Sequence, residues 1–211
     1  VKQLNSKALI HSDAVQAFSS LDLDVDRLGV DLLSLAAHKF GGPQGVGLLY
    51  VRSGVVLEPL LHGGGQEYGR RSGTHNVAGV VGMAAAMEAA IRDRERFRQD
   101  IGQARRAFEA KLADKGGRTV PESKTTPQHS HLRLPVDNET LLIRLDRLGV
   151  AASAGSACQS GAATVSHVLT SMGLSTDQAR HSMRFTFGWN TTLDEAETAA
   201  DRVLAALSGS S

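Results

Sequence analysis

Short apolar runs separated by glycine and polar residues open this chain, and apolar residues at helical spacing take over from its middle onward. Residues 8–15 (ALIHSDAV), 32–37 (LLSLAA) and 46–52 (VGLLYVR) predict three short strands of one sheet, each bounded by glycine or polar punctuation. Between the second and third, HKFGGPQG at 38–45 holds three glycines and Pro43, which demands a tight exposed connection. HGGGQEYGRRSGTHN at 62–76 is a second glycine-rich polar loop, after which the spacing predicts one long helix from Val77 to about Lys115. Gly116 and Gly117 stop that helix, and TVPESKTTPQ is a proline-punctuated connector.

A new unit follows. HSHLRLP reads as a strand, ETLLIRLDRLG as an amphipathic helix closed by Gly149, and VAASAGSACQSG as a strand running into a small-residue loop. SHVLTSMG reads as a short helix, HSMRFTFGW as an alternating strand, and TTLDEAETAADRVLAAL as a last helix with a Thr/Asp/Glu-rich first turn. The expected class is therefore α/β, an α/β part followed after the connector by a compact α+β unit of roughly one hundred residues. No internal repeat is evident.

Length and charge narrow the functional classes. The 211 residues suffice for one large or two modest domains, and 23 basic against 22 acidic residues leave no electrostatic footprint for nucleic acid or a membrane surface. No apolar run approaches a membrane span, and the opening VKQLNSK lacks the build of a secretory signal. A single cysteine excludes an internal disulfide framework, so a reducing, cytoplasmic location is expected. The chain lacks an initiator methionine and reads as starting in the middle of a longer sequence, while the closing SGSS reads as a disordered end.

That lone cysteine, Cys158, lies in SAGSACQSG between Gly155 and Gly161, with Ser156 and Ser160 beside it. Small neighbours suit a mobile reactive thiol, and equally an incidental loop cysteine. His38 and Lys39 stand where a strand meets a glycine-rich turn, and Asp13 ends a neighbouring apolar run, where it is either a cation's partner or the N-cap of a helix over AVQAF. A lysine and an aspartate at adjacent strand ends, a glycine-rich loop and a mobile thiol together suggest pyridoxal phosphate. That cofactor needs an amine for covalent attachment, a carboxylate to keep its ring nitrogen protonated and donors for its phosphate, which Ser72, Gly73 and Thr74 can supply. His62, His75, His129, His131, His167 and His181 show no metal-ligand spacing, so no metal site is assigned and they are expected as polar surface or loop residues.

HSDAVQA, SLAAHKFGGPQGVG, HGGGQEYGRRSGTHNV, SAGSACQSG and HSMRFTFGWNTT stand in the order and approximate spacing of the cysteine desulfurases of the class V aminotransferase group, and the chain resembles that NifS/IscS-like family. The long cysteine loop is similar to that of the desulfurases serving iron-sulfur cluster assembly. The resemblance implies a fold-type I pyridoxal-phosphate-dependent transferase, with residues 1–95 as the remainder of the large cofactor-binding domain and 96–211 as the small C-terminal domain. It places Lys39 at the lysine covalently attached to the cofactor, His38 at the histidine reaching the phosphate, Asp13 at the acid on the pyridine nitrogen and Gln16 at the glutamine beside the ring hydroxyl. Thr74 falls at the threonine that in such dimers reaches the phosphate in the other subunit. Arg184 falls at the arginine gripping the substrate carboxylate, a bidentate pairing open to any guanidinium, though apart from the resemblance a strand arginine is more often a surface residue. Cys158 falls at the nucleophile that becomes a persulfide.

The implied reaction converts L-cysteine to L-alanine with sulfur left on Cys158, for an iron-sulfur scaffold protein or a tRNA-thiolation enzyme, in a homodimer. Ala36 stands where the family often has a phosphate-binding serine, leaving one donor fewer. The family's opening part is missing, including its phosphate-binding helix, the histidine stacked on the ring and an asparagine near the ring hydroxyl, so little or no activity is expected of this chain alone. A selenocysteine lyase, another class V aminotransferase-like enzyme, and a non-catalytic dimerisation or partner-binding remnant are the other readings. The cysteine loop argues against a simple transaminase.

Overall fold

The fold was analysed in a computed structural model that describes residues 7–154 and 165–209, so Cys158 and its immediate neighbours lie outside the described residues. The chain divides into two compact units, Val1–Glu95 and Arg96–Ser211.

In the first unit, β1 (His11–Asp13), α1 (Val25–Leu28), β2 (Leu32–Ala36), β3 (Gly47–Val51) and α2 (Val77–Arg92) follow in chain order. The sheet order is β1-β2-β3. β1 runs parallel to β2, pairing His11 with Leu32 and Asp13 with Ser34, and β3 returns antiparallel from Gly47 opposite Ala36 to Val51 opposite Leu32. A parallel pair needs a crossover, and here a run of turns and α1 make it. Asp24 caps α1 by accepting from the Asp26 and Arg27 N–H groups, and Gly29 ends it at φ 64°. Leu33, Leu35, Ala37 and Phe40 bury one side of this layer against Ala14, Phe18 and, from α2, Met83 and Ala90. The Phe18 and Phe40 rings lie 4.7 Å apart.

The strand expected over residues 8–15 shortens to His11–Asp13. Its end is local chemistry: the Ala14 N–H donates to Ser34 O at 3.1 Å, and the Asp13 carboxylate accepts from the Val15 N–H at 3.0 Å, turning the chain. Asp13 therefore caps a turn, and no helix follows over AVQAF. The single helix expected from Val77 to about Lys115 is two, α2 and α3 (Arg94–Lys111), interrupted at Asp93 with φ −96° and ψ 5°. Aspartate competes poorly for a helix interior, and the Arg92 guanidinium holds its carboxylate at 3.0 Å.

The second unit takes most of α3, then β4 (Gly117–Arg118), β5 (His129–Arg133), α4 (Asn138–Arg147), α5 (His167–Ser171), α6 (Thr176–Arg180), β6 (Ser182–Thr186) and α7 (Leu193–Ser208). β4, β5 and β6 form an antiparallel sheet in that order. Leu132, Met183, Phe185 and Phe187 leave one sheet face to pack with Phe108 of α3, Leu141 and Leu145 of α4 and Ala200 and Val203 of α7. α7 begins with the expected first-turn acid: Thr192 and Glu195 form a reciprocal capping box, a device of about 1 kcal/mol. The connector after Gly117 is tied down by charge, with Glu109 accepting from Arg118 at 2.5 Å and from the buried Arg105 at 3.3 Å, and Arg105 also pairing with Glu122. Of the strand expected to lead into the cysteine loop, the described residues contribute one bridge, Ser153 to Arg184, and the rest lies outside the described residues.

Candidate active site

The carboxyl ends of the parallel pair β1 and β2 are where a ligand-binding crevice forms in open α/β sheets, and four of the residues singled out in the sequence collect there. Asp13 is the last residue of β1, Gln16 is exposed in the turn after it, and His38 and Lys39 are exposed on a single 3-10 turn, Ala37–Phe40, that follows β2 directly. That turn is anchored from below by the buried Ala37 and Phe40 side chains. It is closed by Gly41 at φ 86° and by the Gly42 N–H donating to Ala37 O at 2.9 Å. Gly42 is obligatory for space as well, because a Cβ there would meet the Ala37 Cβ at 2.9 Å. The lysine amine thus sits on a short, braced turn beside the edge bearing the carboxylate. One contact at this edge escaped the sequence reading: His11 Nε2 and Ser34 Oγ lie 2.7 Å apart across β1 and β2.

Thr74 is exposed in the glycine-rich loop of the same unit. Of its neighbours, Ser72 is committed to the loop itself, buried, with its Oγ accepting from the Gly65 N–H at 3.3 Å. Gly73 donates its N–H to Gln66 Oε1 at 2.9 Å. Those two of the three residues considered as phosphate donors therefore hold the loop together.

Arg184 belongs to the second unit, on the non-core face of its sheet. β6 alternates, with Met183 and Phe185 facing the core and Arg184 half-buried on the other side, where it stands opposite His131 of β5 and opposite Ser153. Arg184 Nε is buried and has no hydrogen-bond partner among the described residues. His131 departs from the surface or loop role expected of the histidines: it is half-buried within β5, and its Nδ1 is likewise buried and without a partner among the described residues. Burial, and then the charges of Arg184 and His129, lower its imidazole from 6.5 to about 4, so the ring is neutral at physiological pH.

A stability consequence follows from that shift. Below about pH 6.5 the unfolded chain binds a proton at His131 that the folded chain refuses until about pH 4, so stability falls as pH drops through that window and is unaffected by this group above it. His131→Leu is expected to flatten this part of the acid slope in urea titrations. Identical slopes for both proteins would mean that the folded state tolerates the charged ring.

The comparisons agree with this architecture. The family model described as aminotransferase class-V matches residues 1–198. The chain is 41% identical to the cysteine desulfurase IscS of Dictyoglomus turgidum over 196 residues, covering 90% of this chain and 50% of that protein. Among solved structures it is similar to a NifS-like protein with a TM-score of 0.88 at 33% identity, covering 99% of this chain and 55% of the other. It is also similar to a structure of SspA in complex with cysteine, with a TM-score of 0.67 at 32% identity, covering 87% and 51%. The chain belongs to the class V aminotransferase family, and its mixed α/β fold is that of the NifS-like structures. It spans about half the length of the curated relatives it matches.

Proposed function

We propose that this chain supplies the lysine, the pyridine-facing acid, the carboxylate-binding arginine and the sulfur-accepting thiol of a pyridoxal-phosphate-dependent cysteine desulfurase. The observation that carries the reading is the convergence of Asp13 and His38–Lys39 at the carboxyl ends of two parallel strands. The donor set fits the cofactor: an exposed amine on a braced turn, a carboxylate oriented by the Val15 N–H, and Gln16 in the turn between. When bound, pyridoxal phosphate supplies an electron sink for bonds at the substrate's α and β carbons.

Around that group the chain's own residues have separate tasks. Lys39 would hold the cofactor aldehyde covalently, and its exposed amine is also the group placed for proton transfer. Asp13 would keep the ring nitrogen protonated, and His38 and Thr74 would serve phosphates. Arg184 takes the carboxylate of L-cysteine, and the Cys158 thiolate accepts the sulfur as a persulfide, leaving L-alanine. An iron-sulfur scaffold protein or a tRNA-thiolation enzyme is the sulfur acceptor, in the cytoplasm. The solvent-facing Val77, Val80 and Val81 on α2 support a homodimer, since such a stripe is unusual on a monomer's surface.

The test is covalent trapping. Incubation with pyridoxal phosphate followed by borohydride reduction is expected to leave one pyridoxyl group on the peptide that contains Lys39. Labelling spread evenly over Lys111, Lys115 and Lys124, with Lys39 no more reactive than these, would reject the site.

A further inference from the structure

Two buried polar atoms that find no hydrogen-bond partner among the described residues lie on directly paired residues, and each such atom calls for an explanation. They are Arg184 Nε and His131 Nδ1. The ladder shows how near to each other these residues stand. Arg184 exchanges both of its backbone hydrogen bonds with Ser153, at 2.8 and 3.0 Å, and the His131 carbonyl accepts from the Thr119 N–H at 2.8 Å. Both backbones therefore turn their hydrogen-bonding groups away from each other, and His131 and Arg184 form a non-hydrogen-bonded antiparallel pair. That is the kind with Cα atoms about 4.5 Å apart and side chains closest on a shared face. His129, the next histidine on that face, is already engaged, its Nδ1 lying 3.1 Å from Thr186 Oγ1.

A guanidinium Nε–H can only donate. An imidazole beside it is useful in one of two ways, by accepting from the arginine or by donating alongside it to a third group. The two unpaired atoms show that the first arrangement is not made, and burial beside a cation keeps the ring from adding a second positive charge. We propose that His131 and Arg184 together form the carboxylate seat, His131 donating from Nδ1 as a neutral imidazole to the anion that the Arg184 guanidinium holds. This rests on the reading of Arg184 as the carboxylate-binding residue and adds to it a second, uncharged donor. Such a donor fixes the rotation of the carboxylate within the arginine's fork, which a point charge cannot do. Because both donor atoms are already desolvated, only the anion's own water has to be displaced when the hydrogen bonds form.

Nitrogen-15 NMR of the full chain, titrated with L-alanine as an unreactive amino acid, tests this. The expected result is that the Arg184 Nε and His131 Nδ1 signals move along one binding curve, and that His131 carries its proton on Nδ1. His131→Leu is expected to weaken L-alanine binding about tenfold, and His131→Asn, whose amide nitrogen can occupy the place of Nδ1, to restore most of it. Binding that moves Arg184 but is unchanged in His131→Leu overturns the role of His131 while leaving that of Arg184 standing. So does a wild-type ring protonated only on Nε2 in the bound state, a measurement that needs no folded variant. If Arg184 does not respond at all, or Arg184→Gln binds as well as wild type, the underlying reading fails and the seat with it.

Discussion

Lys39→Ala is expected to abolish covalent capture of pyridoxal phosphate, with no visible absorbance band and no borohydride-stable label, while the protein unfolds at the same denaturant concentration as wild type. The two halves of this expectation have one structural source. Lys39 is exposed on its 3-10 turn, and the turn is held by Ala37, Phe40 and the Gly41–Gly42 closure rather than by the lysine. Removing its side chain therefore belongs with surface substitutions, within about 0.5 kcal/mol of neutral. In any cofactor-loaded form the turnover of L-cysteine should fall on the order of 10³, the middle of the range for losing a positioned proton-transfer group. Cys158→Ala separates the tasks: it should keep the absorbance band and lose sulfur transfer. A band that survives in Lys39→Ala would remove the lysine from the site.

Phe108→Ala is expected to cost about 3–5 kcal/mol, the range for truncating a buried aromatic, and to do so in the second unit. Phe108 is 1% exposed, and its ring centre lies 4.8 Å from that of Phe185 and 5.4 Å from that of Phe187, joining α3 to the core face of the sheet. Leu141, Leu145 and Met183 are themselves fully buried in the same cluster, so truncating the ring opens space inside the core. The readout is built in, because the ring of the chain's one tryptophan, Trp189, lies tilted against that of Phe97 of the same unit, centres 4.3 Å apart. Its fluorescence should report an unfolding midpoint shifted far toward lower denaturant, whereas Ile143→Ala, at a 58% exposed position, should leave it in place. Equal midpoints for the two variants would mean that the Phe108 cluster is not the second unit's core.

Much of this architecture was readable from local pattern. β2, β3 and α7 fall where alternation, glycine punctuation and the Thr192/Glu195 first turn put them. Asp13 and Lys39 could be placed at neighbouring strand ends because each borders a recognisable turn. Other features were not readable in the same way. Nothing in the apolar spacing of residues 77–115 marks Asp93 as a break, since the pattern continues on both sides and one residue's backbone decides it. The alternation of HSHLR does reveal that His129, His131 and Arg133 share a face, yet no local signal says that this face is half-buried at His131.

What the amino-acid order determined by itself is most of the longer elements and their chemistry: short strands, capped helices, a lysine on a glycine-closed turn and a small-residue segment around Cys158. These depend on interactions within a few residues, where side-chain period, caps and glycine φ act directly. The tertiary structure alone decided which residues became neighbours, pairing Asp13 with Ser34 and His131 with Arg184, and which polar atoms lost their water. Register and burial come from chain segments brought together across 21 and 53 positions, and no local preference carries that information.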